Sequence, residues 1–120
     1  MRKSYALIVT GPGSLQNGLL ALMTAMPQIE VVGEADDASS AQQMVVEHRP
    51  DLVLLDMDLP GSDPWALLRQ IKNNWPATRC IALADDVQHQ QESEAAGADI
   101  ALVKGFAPAQ LIAAVDRLLQ

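Results

Sequence analysis

An α/β domain built on one mostly parallel, doubly wound five-stranded sheet is expected from two features of the chain. Short apolar runs bounded by Gly, Pro or Asp alternate with longer stretches of helical spacing, which is the signature of successive βαβ units. The length of 120 residues is close to the commonest size of one domain and sufficient for a single core. One domain over residues 1–120 is therefore expected.

The first apolar run, Tyr5 to Val9, reads as a strand. Leu15, Leu19, Leu22, Met23 and Met26 then recur at intervals of three and four, the stripe of an amphipathic helix that Pro27 ends. Ser14 stands where an N-cap is wanted, because its hydroxyl can accept from a free amide of the first turn. Ile29 to Gly33 is the second strand, and Ala41, Met44 and Val45 form a second helical stripe before Pro50. Leu52 to Leu55 is the third strand, followed by Leu67, Leu68, Ile71 and Trp75, a helix running into Pro76. Cys80 to Leu83 is the fourth strand. The helix expected between Val87 and Ala96 has almost nothing apolar to bury, and should be short, frayed or displaced. Gly97 is placed to stop it in the left-handed conformation. Ile100 to Val103 is the fifth strand, and Leu111, Ile112, Val115, Leu118 and Leu119 mark the last helix. These stripes and the two Trp residues read as core material.

Charge and composition exclude several classes of function. The formal net charge is −7 and the isoelectric point about 4.5. This opposes direct binding to nucleic acid, whose phosphates are held by clustered Lys and Arg. Apolar residues make up 49% of the chain, but no uninterrupted apolar run approaches the roughly 20 residues that cross a bilayer, so a soluble protein without membrane contact is expected. Met1-Arg2-Lys3-Ser4 is basic but leads straight into a strand and Gly-Pro-Gly, without the features of a signal peptide, which favours the cytoplasm. The lone cysteine, Cys80, lies inside an apolar run and reads as a buried structural thiol. The chain stops just after the fifth helix, so it is expected to be a stand-alone domain or a piece of a longer protein.

In an open parallel sheet, ligands collect beyond the carboxyl ends of the strands, near the point where strand order reverses. Those ends carry Thr10, Gly11 and Pro12 after the first strand, Asp56 after the third, Ala84 and Asp85 after the fourth, and Lys104 after the fifth. An acid and a base, Asp56 and Lys104, are thus expected to meet. Gly11-Pro12-Gly13-Ser14 lacks the Gly-Lys-Ser/Thr ending of a phosphate-binding loop and reads as turn and cap. His48 and His89 have no partner at ligand spacing and receive no role.

The segment Asp51-Leu-Val-Leu-Leu-Asp56-Met-Asp-Leu-Pro60-Gly-Ser-Asp63 resembles the phosphoacceptor region of response-regulator receiver domains. Val31-Val32-Gly33-Glu34-Ala35, Ala96-Gly97-Ala98-Asp99 and Val103-Lys104 extend the resemblance over nearly the whole chain. Gly105-Phe-Ala-Pro108 followed by Leu111 is similar to the subfamily that carries a LuxR or NarL type helix-turn-helix. The resemblance implies a flavodoxin-like, CheY-like sheet with strand order 2-1-3-4-5 and five helices. It also implies that Asp56 is the residue converted to an aspartyl phosphate and that Lys104 contacts a phosphoryl oxygen. In the family the transfer requires Mg²⁺, held by an acidic pair after the first strand.

Here that pair is replaced by Thr10 and Gly11. The remaining metal ligands are Asp56 and, weakly, Asp58, so little Mg²⁺ binding is expected, with Asp58 and Asp86 as conceivable replacement carboxylates. The family's Ser or Thr after the fourth strand is matched by Ala84, and its switching aromatic residue by Ala101. A degenerate receiver is the reading that follows. It acts without enzymatic activity of its own, by contacts with a protein partner or by control of an attached LuxR-type DNA-binding domain outside this chain. The Asp56–Lys104 pair then serves as a structural salt bridge. The alternatives are a conventional receiver phosphorylated on Asp56 by a histidine kinase, and a flavodoxin-like small-molecule binder or fragment of an enzyme. A homodimer, and contacts through the fourth helix, fifth strand and fifth helix, are further expectations of the resemblance.

Overall fold

The computed structural model describes residues 2–120. Its strands are β1 (Ser4–Val9), β2 (Ile29–Ala35), β3 (Leu52–Asp56), β4 (Arg79–Ala84) and β5 (Ile100–Val103). Its helices are α1 (Ser14–Thr24), α2 (Ala38–His48), α3 (Pro64–Asn74), α4 (Val87–Ala95) and α5 (Pro108–Leu118). All strand pairs are parallel, and the order across the sheet is β2-β1-β3-β4-β5, as the resemblance implies.

Side chains alternate between the two faces of a strand, and in β3 both faces are covered, so every residue from Leu52 to Asp56 is buried. Leu52 and Leu54 join Leu19 and Met23 of α1 and Leu111 and Val115 of α5 in one apolar cluster. Val53 and Leu55 join Ala41 and Val45 of α2 and Leu67, Leu68 and Ile71 of α3 in the other. Trp65 and Trp75 are half-buried against this second cluster. Chain progress reverses after β2, from one side of β1 to the other. With right-handed crossovers, the reversal moves the helices to the opposite face and leaves a crevice above the ends of β1 and β3.

The strands run past the apolar runs that announce them. β2 continues through Glu34 and Ala35, which pair with Ile8 and Val9 after a register shift at Ala6/Leu7, and β3 takes in Asp56, paired with Leu83. Pairing with neighbours, and not the hydropathy of these residues, sets the strand ends.

Asp37, Asp63 and Asp86 cap α2, α3 and α4, accepting from the amides of Ser40 (2.7 Å), Ala66 (3.1 Å) and His89 (2.8 Å). Ser14 is not the cap of α1. That position belongs to Gly13, at φ 144°, a backbone conformation that favours glycine, and no side chain bonds to the first turn.

Helix α4 is short, as its composition suggests, but it is neither frayed nor displaced. It lies against β4 and β5 as a regular nine-residue helix, held by polar links. Ser93, fully buried, donates its hydroxyl to His89 O at 2.7 Å, and Gln90 Nε2 donates to Ala101 O on the edge strand at 2.8 Å. At its C-terminus Gly97 is left-handed (φ 116°), and the amides of Gly97 and Ala98 satisfy the carbonyls of Glu94 and Ser93, forming a Schellman stop. Among the described residues no helix is long and apolar enough to cross a membrane.

At the opposite end of the sheet from the crevice, the Lys72 ammonium donates to Pro76 O, Thr78 O and Asp99 Oδ2, and the same Asp99 oxygen accepts the Cys80 amide. Burial beneath this network pushes the Cys80 thiol up to about 12. A disulfide-exchange reagent at pH 8 is therefore expected to leave the native protein unlabelled over minutes and to react with a single thiol once guanidinium unfolds it. Rapid labelling of the native protein would contradict the buried placement of Cys80.

Candidate functional site

Four strand ends meet at the crevice. Thr10 follows β1 and is 2% exposed; Asp56 ends β3 and is 6% exposed. Ala84 ends β4, and its carbonyl accepts the Lys104 amide at 2.8 Å, which fixes the residue that follows β5. The crevice is walled by the turn from Gly11 to Leu15 on one side and by Asp58 and Pro60 on the other.

The Asp56 carboxylate is engaged from three directions. Oδ1 accepts from Lys104 Nζ at 2.7 Å and from the Asp58 amide at 2.9 Å, and Oδ2 accepts from the Thr10 hydroxyl at 3.1 Å. The ammonium–carboxylate contact is the strong member of the set, being charge-assisted and short. Lys104 is shared: its Nζ also meets Asp85 Oδ1 at 2.9 Å. Burial opposes the Lys104 charge, but the hydrogen bonds to Asp56 and Asp85 together outweigh it and raise its pKa above the ordinary lysine value. The hydrogen bond from Lys104 draws Asp85 below the ordinary aspartate value in turn.

The expected meeting of Asp56 and Lys104 thus occurs, and Thr10 joins it by a direct hydrogen bond. Asp58 reaches the site through its amide, while its side chain is exposed at the rim. Asp86 is elsewhere: its carboxylate caps α4 and contacts His89 Nδ1 at 3.1 Å, while His89 lies 6.3 Å from the Trp65 ring. The second acid at the site is its neighbour Asp85. The signal that separates the two lay in the sequence, because an Asp immediately before a helix is spent on capping. Ala84 offers no hydroxyl to the crevice, and Ala101 is buried in β5 with no ring to move.

The donor set can be tested against the needs of a divalent cation. Mg²⁺ is held octahedrally, usually through one or two carboxylates plus waters. Here the one buried carboxylate already accepts three hydrogen bonds, one of them from a tethered cation, and the positions after β1 supply a hydroxyl and a glycine. Among the described residues, no three His, Cys, Asp or Glu side chains converge as a metal site. The crevice thus offers the ion no acidic pair after β1, and its buried carboxylate is already engaged.

Comparison with known proteins places the chain. Its sequence is similar to the DNA-binding transcriptional activator DevR/DosR of Mycobacterium tuberculosis, 33% identical over 103 residues that make up 84% of this chain and 48% of that one. It is similar also to protein-glutamate methylesterase/protein-glutamine glutaminase 3 of Myxococcus xanthus, 39% identical over 83 residues, 69% of this chain and 23% of that enzyme. The chain therefore spans about half the length of the first relative and about a quarter of the second. A LuxR-family two-component response regulator from Aurantimonas sp. SI85-9A1 superposes with a TM-score of 0.88 at 27% identity, over 98% of this chain and 85% of that one. The family model of the response regulator receiver domain matches residues 7–116. With that match, the 2-1-3-4-5 sheet and an aspartate and a lysine in contact at its crevice, this chain belongs to the receiver domains of two-component response regulators.

Proposed function

We propose that this receiver domain signals through protein contacts without phosphoryl transfer, its Asp56 serving as the anchor of a fixed ion-pair network. The observation that carries the reading is the occupancy of Asp56 by Lys104, Thr10 and the Asp58 amide, with Thr10 and Gly11 standing where the family places its acidic pair.

Charge bookkeeping supports it. Phosphoryl transfer spreads negative charge over the equatorial oxygens and both in-line partners, and the family neutralises this with a divalent cation. Around this crevice stand three carboxylates, Asp56, Asp58 and Asp85, and one ammonium, Lys104. The local charge is already negative, which opposes an incoming phosphoryl donor, and Ala84 has no hydroxyl to offer it. With the acidic pair after β1 absent and Asp56 already bonded to Lys104, Mg²⁺ is expected to be held only weakly here.

In this reading residues 1–120 form one cytoplasmic domain without enzymatic activity of its own. The LuxR-type relatives suggest its role: control of a DNA-binding output domain outside this chain, with a protein partner or a second copy docking on the α4–β5–α5 face. The domain does not itself bind DNA in this reading, which its net charge of −7 supports.

The deciding experiment is intact-mass analysis of the protein incubated with a small acyl phosphate, with and without Mg²⁺, using Asp56→Ala as control. No adduct is expected under either condition. A Mg²⁺-dependent adduct absent from Asp56→Ala would make this a conventional receiver phosphorylated by a histidine kinase. The same variant carries a second expectation. Removing the acceptor of three buried or half-buried donors should lower unfolding stability by about 2 kcal/mol in urea titrations.

A further inference from the structure

Lys104 is held more tightly than one carboxylate requires. A lysine side chain has four rotatable carbons and a compact charge, so a single acceptor leaves the ammonium free to swing. Here it sits between two carboxylates, Asp56 Oδ1 at the end of β3 at 2.7 Å and Asp85 Oδ1 in the β4–α4 loop at 2.9 Å, and its backbone amide is bonded to Ala84 O, one residue before Asp85. Side chain and main chain of Lys104 thus both grip the end of β4. The next residue, Asp86, caps α4 through the His89 amide, and its carbonyl accepts the Gln90 amide at 2.9 Å. Gln90 in turn bonds the Ala101 carbonyl on β5. Polar contacts joined through the Asp85–Asp86 backbone run from the crevice to the first turn of α4, and Asp85 is their link to Lys104.

We propose that Asp85 is a positioning residue: by sharing the Lys104 ammonium with Asp56, it latches the β4–α4 loop to β5 and holds helix α4 in one arrangement without modification of Asp56. This rests on the reading of the domain as one that works without phosphoryl transfer, and it names what sets its output face instead. Asp58 lies at the rim beside this latch and anchors Asp56 through its amide. Asp85 is the acid that reaches the lysine from the helical side, and 47% of its side chain remains exposed, so the latch is accessible to a partner.

Amide hydrogen exchange and the Lys104 ¹⁵Nζ resonance, measured by NMR on the whole chain, test this with Asp85→Asn and Asp85→Glu. Asp85→Asn should speed exchange of the Lys104, His89 and Gln90 amides by about two- to fivefold, the range of a partly exposed ion pair. It should also shift the ¹⁵Nζ signal. The Cys80 amide, bonded to Asp99 at the far end of the sheet, should be unaffected, which separates a local release from general destabilisation. Asp85→Glu, keeping the charge, should restore both signals. Unchanged Lys104 signals in Asp85→Asn, equal acceleration at Cys80, or failure of Asp85→Glu to restore them would each overturn the latch. Such a result leaves the phosphate-independent reading standing, whereas an acyl-phosphate adduct on the wild-type protein removes that reading and leaves the contact itself untouched.

Discussion

The contact between Lys104 Nζ and Asp56 Oδ1 spans β4 to join the ends of β3 and β5, and the character of the whole crevice follows from it. A carboxylate buried to this degree is costly unless it is paired and hydrogen-bonded. Lys104 supplies the pairing, and the Thr10 hydroxyl and Asp58 amide supply further hydrogen bonds. Once these are in place, the acceptor is satisfied by the protein itself. An added cation would have to displace a tethered one, which is a different problem from entering an acidic pocket whose charge asks to be neutralised.

The sheet makes this contact possible. Because strand order reverses around β1, the ends of β1 and β3 stand side by side with no helix above them, and Thr10 and Asp56 are neighbours in space although 46 residues apart in sequence. The remaining acids of the upper rim are divided by task. Asp37, Asp63 and Asp86 satisfy helix N-termini, while Asp56 and Asp85 share Lys104. Much of the negative charge that the composition reports is therefore architectural, and the polar helix α4 is kept in place by the same economy of caps and buried hydrogen bonds in place of an apolar face.

What could be read from the amino acids, and what could not, divides along physical lines. Strand interiors and helical stripes were legible because both faces of the sheet are buried and apolar periodicity is the record of burial. Strand ends such as Glu34 and Ala35 were not, since they are fixed by pairing with a neighbour. Ser14 looked like a cap because its hydroxyl suits the role, but the turn demands a left-handed residue there and Gly13 provides it. Asp56 and Lys104 were legible as strand-end residues in a segment of recognisable pattern. The choice between Asp85 and Asp86 was decided by a local competition, with the helix taking the residue immediately before it and the lysine taking the other. The orderly α4 was hidden for a related reason: Ser93 and Gln90 hold it by hydrogen bonds to His89 and Ala101, which no hydropathy pattern announces.

The measurement that bears hardest on this account is a Mg²⁺ titration of the unmodified protein followed by its amide spectrum at constant ionic strength. With Asp56 filled by Lys104 and Thr10, the amides of Gly11, Asp56, Asp58 and Lys104 should not shift through the low-millimolar range. Saturable shifts clustered on those four residues would mean that the crevice opens to a cation after all, and that the lysine is a gate in place of a permanent occupant.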